Sequence, residues 1–160
     1  RASRGRGSTF SFSIRLERMK NSIPSPGARM NDQNLLPRSR VLLVEDNLLN
    51  QKLAQAMLWR LGLEVVAVDN GREAVETLRR DTFDAVLMDC QMPEMDGFEA
   101  TRVIRGDGVH AALPIIAVTA NAMAGDRERC LAAGMNDYLA KPFTLDMLRD
   151  VLRRWLVPTP

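Results

Sequence analysis

Cysteine occurs only twice in this chain, as Cys90 and Cys130, each inside a segment that reads as apolar. Two such residues make neither a disulfide framework nor a cysteine-based metal site, and a reducing cytosol suits them best. Histidine occurs once, as His110, in GDGVHAALP, which reads as a solvated loop bounded by glycine and proline. No apolar run approaches the ~18 residues of a membrane span, and the first residues lack the cationic-then-apolar order of a secretory signal. The chain as given is expected to be soluble. Its glycine-rich opening, RGRGSTFSFSI at 4–14, lacks the third glycine of G-x-G-x-x-G and the Gly-Lys-Ser/Thr of a P-loop, so it makes no stand-alone phosphate cradle.

What is present fits one ordinary domain with appendages: 160 residues bury a single sizeable core. Charge is uneven. Residues 1–38 hold eight Lys+Arg against two Asp+Glu, and the rest holds fourteen against eighteen. The basic residues of the head are scattered among Ser, Pro and Gly with no helical stripe, which reads as a solvated tail rather than a nucleic-acid or membrane surface. Phe10, Phe12, Ile14 and Leu16 alternate with polar residues, as in a half-buried strand. Residues 18–38 carry three prolines without a sustained period and read as a linker. The domain is expected over 39–157.

Short apolar runs then alternate with helical patterns: VLLV at 41–44, VVAV at 65–68, AVLM at 85–88, IIAV at 115–118 and the more polar DYLA at 137–140. Continuous runs of four suit parallel strands buried on both faces. Leu49, Leu53, Met57 and Leu61 recur at i+4 and Gly62 follows as a stop. Asn70 with Glu73 and Asp96 with Glu99 have nearly capping-box spacing, and Leu145, Leu148, Leu152 and Trp155 stripe the last helix. The fourth helix, in AMAGDRERCLAAG at 122–134, is marginal because Gly125 costs about 1 kcal/mol relative to Ala; it is a candidate moving part. Five β/α units with right-handed crossovers predict an α/β doubly wound parallel sheet, strand order 2-1-3-4-5, with its site beyond the carboxyl ends of the strands.

The residues at those ends are Glu45 and Asp46, Asp69, Asp89, Thr119 and Lys141. Taken singly, an Asp or Thr there caps a turn and a lone Lys is solvated. In the predicted order Asp69 sits apart at the edge, while three carboxylates, a hydroxyl and an ammonium converge. Carboxylates about 4 Å apart repel by ~4 kcal/mol per pair at a dielectric of about 20, and Lys141 offsets one charge of three. Oxygen ligands with room for water suit Mg2+. Asp89, at the centre, is then a candidate nucleophile toward a phosphoryl group.

The stretch from 40 to 156 resembles the receiver domain of two-component response regulators, through VLLVEDNLLN, LMDCQMPEMDG, AVTA and LAKPF in that order. The resemblance implies a flavodoxin-like fold with five helices. It implies that Asp89 accepts the phosphoryl group and that Glu45 and Asp46 hold Mg2+ with the Asp89 carboxylate and the backbone carbonyl of Gln91. Thr119 and Lys141 would bind phosphoryl oxygens. The Lys141-Pro142 bond is expected to be cis, although Pro142 alone reads as a helix-start residue. Tyr138, the only tyrosine, matches the family's switch aromatic, which turns inward as Thr119 moves; the plainer reading is a tyrosine half-buried on an edge strand. Gln91 and Asn121 flank the expected water path.

Gly-x-Gly-Ser-Thr-Phe-x-Phe-x-Ile at the opening resembles the final hairpin turn and strand of a histidine-kinase ATP-binding domain. Together the two resemblances imply the carboxyl-terminal fragment of a hybrid sensor kinase: residues 1–17 a kinase remnant, 18–38 a flexible linker, 39–157 the receiver. With one loop histidine, the phosphoryl donor is expected on another domain, either the parent's kinase core or a histidine phosphotransfer domain. With nothing after Pro160, readout is expected to pass through another protein or the parent, without nucleic acid. Helix one near Leu48 and Leu49, with Phe143, is the expected face for the donor, and the helix-four to helix-five face for self-association. Two rivals differ in class. A haloacid-dehalogenase-like phosphatase needs a second Asp where Gln91 stands, and a phosphorylation-independent interaction module has no use for the intact set of five polar residues.

Overall fold

The computed structural model of the chain describes residues 36–120 and 124–157. The expected opening strand, most of the linker and Asn121 lie outside the described residues. Elements alternate: β1(Arg40–Val44), α1(Leu48–Arg60), β2(Glu64–Val68), α2(Gly71–Arg80), β3(Ala85–Asp89), α3(Gly97–Gly106), β4(Ile115–Thr119), α4(Ala124–Ala132), β5(Asp137–Ala140) and α5(Leu145–Leu156). The strands form one parallel sheet in the order β2-β1-β3-β4-β5, as the run-and-helix alternation predicts.

Strand alternation divides the core into two layers. Val41, Leu43, Ala85, Leu87, Ile116 and Val118 face α1 and α5, where they meet Leu58, Leu148 and Leu152. Leu42, Val44, Val86, Met88, Ile115 and Ala117 face the other side, against α2, α3 and α4. Because both faces are covered, β1, β3 and β4 read as unbroken apolar runs instead of a period of two. Helix starts are fixed by side-chain caps: the Asn47 carbonyl oxygen accepts from the Leu49 and Asn50 amides, Asn70 from Glu73, Asp96 from Glu99 and Thr144 from Met147. Each satisfies a helix N–H that has no partner within its own helix. Gly62 ends α1 with φ +84°, a conformation that favours glycine.

Three segments depart from the sequence expectations. Only the end of the i+4 series in α1 lies inside: Leu49 is 77% and Leu53 57% exposed, whereas Met57 packs on the core and Leu61 is buried together with Gln51, Ala54 and Leu58. Gln51 sets this rotation, since its amide donates to the Glu45 carbonyl at 3.1 Å and to Asp69 Oδ1 at 2.8 Å. His110 is not a solvated loop residue, because its side chain is only 16% exposed. Asp107 accepts from the Val109 and His110 amides and meets His110 Nδ1 at 2.9 Å, folding the loop onto α3. The hydrogen bond from the His110 side chain holds the Asp107 carboxyl below its usual range. Finally Leu36, within the stretch read as linker, is buried and its amide donates to the Leu61 carbonyl at 2.9 Å.

Candidate functional site

Parallel strands end at a common edge, and the fold delivers polar side chains there. Glu45 and Asp46 follow β1, Asp89 and Thr119 close β3 and β4, and Lys141 follows β5. Glu45, Asp89 and Thr119 are buried, while Asp46 is exposed. Asp69, beyond the edge strand β2, stays outside the group and is occupied by Gln51.

Lys141 Nζ donates to Glu45 Oε2 and to Asp89 Oδ2, at 2.7 Å each. Asp89 Oδ1 accepts from the Gln91 amide at 3.0 Å, so both oxygens of the central carboxylate are held. Glu45 Oε1 accepts from Asn50 Nδ2 at 3.1 Å. The backbone joins two of these groups directly: the Lys141 amide donates to the Thr119 carbonyl at 2.7 Å. The Lys141-Pro142 bond is cis. Tyr138 is half-buried on β5, packed on the layer that contains Cys130 and Met135.

Charge at this edge is unbalanced. Glu45, Asp46 and Asp89 offer carboxylate oxygens that all lie within 4.8 Å of one another, and among the described residues the one ammonium in contact with them is shared by two. Burial raises the Asp89 carboxyl above its usual range despite the hydrogen bonds from Lys141 and Gln91. Burial alone would lower Lys141, but its bonds to Asp89 and Glu45 carry it above the ordinary lysine value. A second cation is what the arrangement lacks electrostatically. The donors are oxygen only, two of them buried and one facing water, which fits a hard divalent ion that keeps part of its hydration.

Several supporting residues gave no sequence signal of their own. A Cβ on Gly97 would overlap the Asp89 carbonyl oxygen, so glycine is needed for α3 to start against the end of β3. Gly97→Ala is expected to destabilise the fold by about 1–3 kcal/mol and to displace Asp89, measurable by urea unfolding. Asn50 and Gln51 brace Glu45 from α1, which only the polar residue at a core-facing helical position hints at. Cys90 and Cys130 meet with their sulfurs 4.0 Å apart, both buried, and burial pushes both thiols above their usual range.

A five-stranded parallel sheet whose carboxyl edge gathers two acids after the first strand, an aspartate ending the third, a threonine ending the fourth and a lysine after the fifth defines a receiver domain. The sequence profile of the response regulator receiver domain family matches residues 41–153; the chain belongs to that family and is a receiver domain of two-component phosphorelay signalling.

It is 46% identical over 119 residues to the sensor protein GacS of Pseudomonas syringae pv. syringae, covering 72% of this chain and 13% of that protein. It is 45% identical over 115 residues to the signal transduction histidine-protein kinase BarA of Escherichia coli K12, covering 72% and 12%. The chain thus spans only about an eighth of these curated relatives. Among solved structures it is similar to the receiver domain of sensor histidine kinase PA1611 from Pseudomonas aeruginosa PAO1, with a magnesium ion coordinated in the active site cleft. There the TM-score is 0.71 at 51% identity, over 76% of this chain and all of that one. A TM-score of 0.72 at 30% identity, over 76% and 91%, relates it to the co-crystal of the Saccharomyces cerevisiae histidine phosphotransfer protein Ypd1 with the receiver domain of the response regulator Ssk1.

Proposed function

We propose that Asp89 accepts a phosphoryl group from a phosphohistidine donor in a Mg2+-dependent reaction, and that this event repositions α4 and β5. The observation that carries the proposal is the buried Asp89 carboxylate, held at one oxygen by Lys141 and at the other by the Gln91 amide, beside two further acids.

Those two bonds orient the nucleophile before a donor arrives, so little freedom remains to be lost on the way to the transition state. Glu45, Asp46, Asp89 and the Gln91 carbonyl would hold Mg2+. The ion supplies charge neutralisation for the phosphoryl oxygens when bound. An Asp89 oxygen bonds to phosphorus as the phosphorus–nitrogen bond to the donor imidazole breaks, and the imidazole keeps that electron pair. Lys141 shifts a hydrogen bond from the carboxylate to a phosphoryl oxygen, and Thr119 donates its hydroxyl to another. A loose phosphoryl transition state needs positioning and electrostatics more than covalent help. The product carries about one more negative charge than the carboxylate, which draws Thr119 inward, frees space beside Tyr138 and biases α4.

Leu48, Leu49 and Leu53 of α1 are exposed, and Leu53 lines a cavity of about 330 Å3 that also reaches Lys141, Pro142 and Phe143. This is the face we assign to the donor helix, whether it belongs to a kinase core or to a phosphotransfer domain. The α4–β5–α5 face, with a cavity at Tyr138, is assigned to self-association. The chain acts as a phosphoacceptor rather than a turnover enzyme. Residues 1–17 are assigned to the end of a kinase ATP-binding domain, 18–38 to a connector and 39–157 to the receiver; the sensor kinases among its relatives are similar over the receiver part. No helix among the described residues is long and apolar enough to cross a membrane, and we place this segment in the cytoplasm.

Incubation with acetyl phosphate and Mg2+ should add one phosphoryl group at Asp89, removable by hydroxylamine. In a calorimetric titration Asp46→Ala should weaken Mg2+ more than Glu45→Ala, because Asp46 faces water while Glu45 is already engaged by Lys141 and Asn50. No label with Mg2+ present, or no effect of either substitution, would count against the site.

A further inference from the structure

We propose that Cys90 and Cys130 are an oxidation site: a reversible disulfide between them pins α4 to the residue that follows the phosphoacceptor and holds the switch at rest. The consequence rests on the phosphoacceptor reading of Asp89; the bond itself does not.

The two sulfurs approach to 4.0 Å across 40 residues of sequence. Within 125–132, Cys130 is the one buried side chain of α4, so the helix docks through that thiol. Its surface ties are weak, an Arg129–Asp126 ion pair within the helix and Arg129 lying 4.9 Å from the Phe98 ring centre. At nine residues α4 is shorter than the ~12–15 residues at which even good helix formers are marginal alone. Its position therefore depends on the contact that oxidation would make covalent. Closing the sulfurs to a bond of about 2.05 Å takes a travel of roughly 2 Å, which side-chain rotation and a slide of this short helix supply.

Access exists from one side. Cys90 lines a cavity of about 480 Å3 together with Gln91, Thr119, Asp126 and Arg129, wide enough for hydrogen peroxide. The thiol of Cys90 attacks one peroxide oxygen, the O–O bond breaks, and water leaves with a sulfenic acid left on Cys90. The Cys130 sulfur then displaces that hydroxyl as a second water, forming the S–S bond. Two thiols lose two electrons and two protons, and the peroxide is reduced to two waters. A small-molecule thiol reverses the bond by exchange.

The test uses the full chain treated with hydrogen peroxide, quenched, denatured and alkylated with N-ethylmaleimide. A monomer that has lost two hydrogens, takes up no maleimide, and yields a linked Cys90–Cys130 peptide until reduced is the expected result. In Cys130→Ala the lone Cys90 sulfenic acid should instead be captured by dimedone. Full maleimide uptake after peroxide, or a bond only between two chains, overturns the proposal. In the second arm reduced and oxidised proteins receive acetyl phosphate and Mg2+, and amide exchange is followed over 124–132. Exchange there should change in the reduced protein, and that change should be lost in the oxidised one. An equal response in both overturns the pinning. Failure of the reduced protein to label at all would instead sink the Asp89 reading while leaving the disulfide result standing.

Discussion

Asp89→Asn is expected to abolish phosphorylation by acetyl phosphate completely, with no residual hydroxylamine-sensitive label. The amide keeps the shape, and its one oxygen can still accept from either the Gln91 amide or Lys141 though not from both, so the fold should survive, but it is no nucleophile toward phosphorus. It also removes one of three carboxylates, which lowers Mg2+ affinity. In metal-free buffer the same change should raise stability at neutral pH. Burial lifts the Asp89 pKa above its ordinary 3.8, so the native state holds that proton more tightly than the unfolded chain does. The stability this supplies is complete below the ordinary value and is lost as pH rises through the raised one. The amide variant has no such proton to lose over that window. Urea midpoints of the two proteins should therefore diverge as pH rises above about 4, and a parallel pH course would refute the assignment of the strained carboxylate to Asp89.

Lys141→Met carries the second large effect. Among the described residues its ammonium is the one donor shared by Glu45 and Asp89, and removing it leaves two buried carboxylates without their cation, a loss of about 3–5 kcal/mol. That loss should shrink on adding Mg2+, since the ion meets two acids freed from competition, and metal affinity should rise. Phosphoryl transfer should nevertheless slow on the order of a hundredfold, the usual cost of deleting one preorganised donor to developing charge. Tight metal binding with slow transfer is the signature. A variant that binds Mg2+ more weakly and labels at the native rate would show that Lys141 serves only the fold.

The sheet and its site were legible in the sequence for one physical reason. Strands buried on both faces are written as unbroken apolar runs, and the side chain just past each run is the one that reaches the carboxyl edge; reading VLLV, AVLM, IIAV and DYLA is enough to nominate Glu45, Asp89, Thr119 and Lys141. Lys141 and Glu45 lie 96 residues apart on strands with β3 and β4 between them; the shared carboxyl edge brings them to one side, and the long lysine side chain closes the remaining gap.

What stayed hidden depends on contacts rather than on pattern. Leu49 and Leu53 in the first half of α1 point outward where Gln51 finds acceptors inside, and hydrophobic periodicity carries no term for a buried amide that is satisfied. His110 is folded under its loop by Asp107 and Arg105, although its glycine-rich neighbourhood reads as open. Gly97 resembles any helix-start glycine until the Asp89 carbonyl is seen beneath it. Cys90 and Cys130 each read as a small apolar residue, and only the docking of α4 brings them together.

The 2.7 Å bond from the Lys141 amide to the Thr119 carbonyl has a kinetic meaning. The tips of β4 and β5 are coupled at the point where one carries the hydroxyl and the other the ammonium, so a displacement that begins at Thr119 carries the base of Lys141 with it. If the two groups serve the phosphoryl oxygens as proposed, their strand tips are expected to move together and to relax at one common rate.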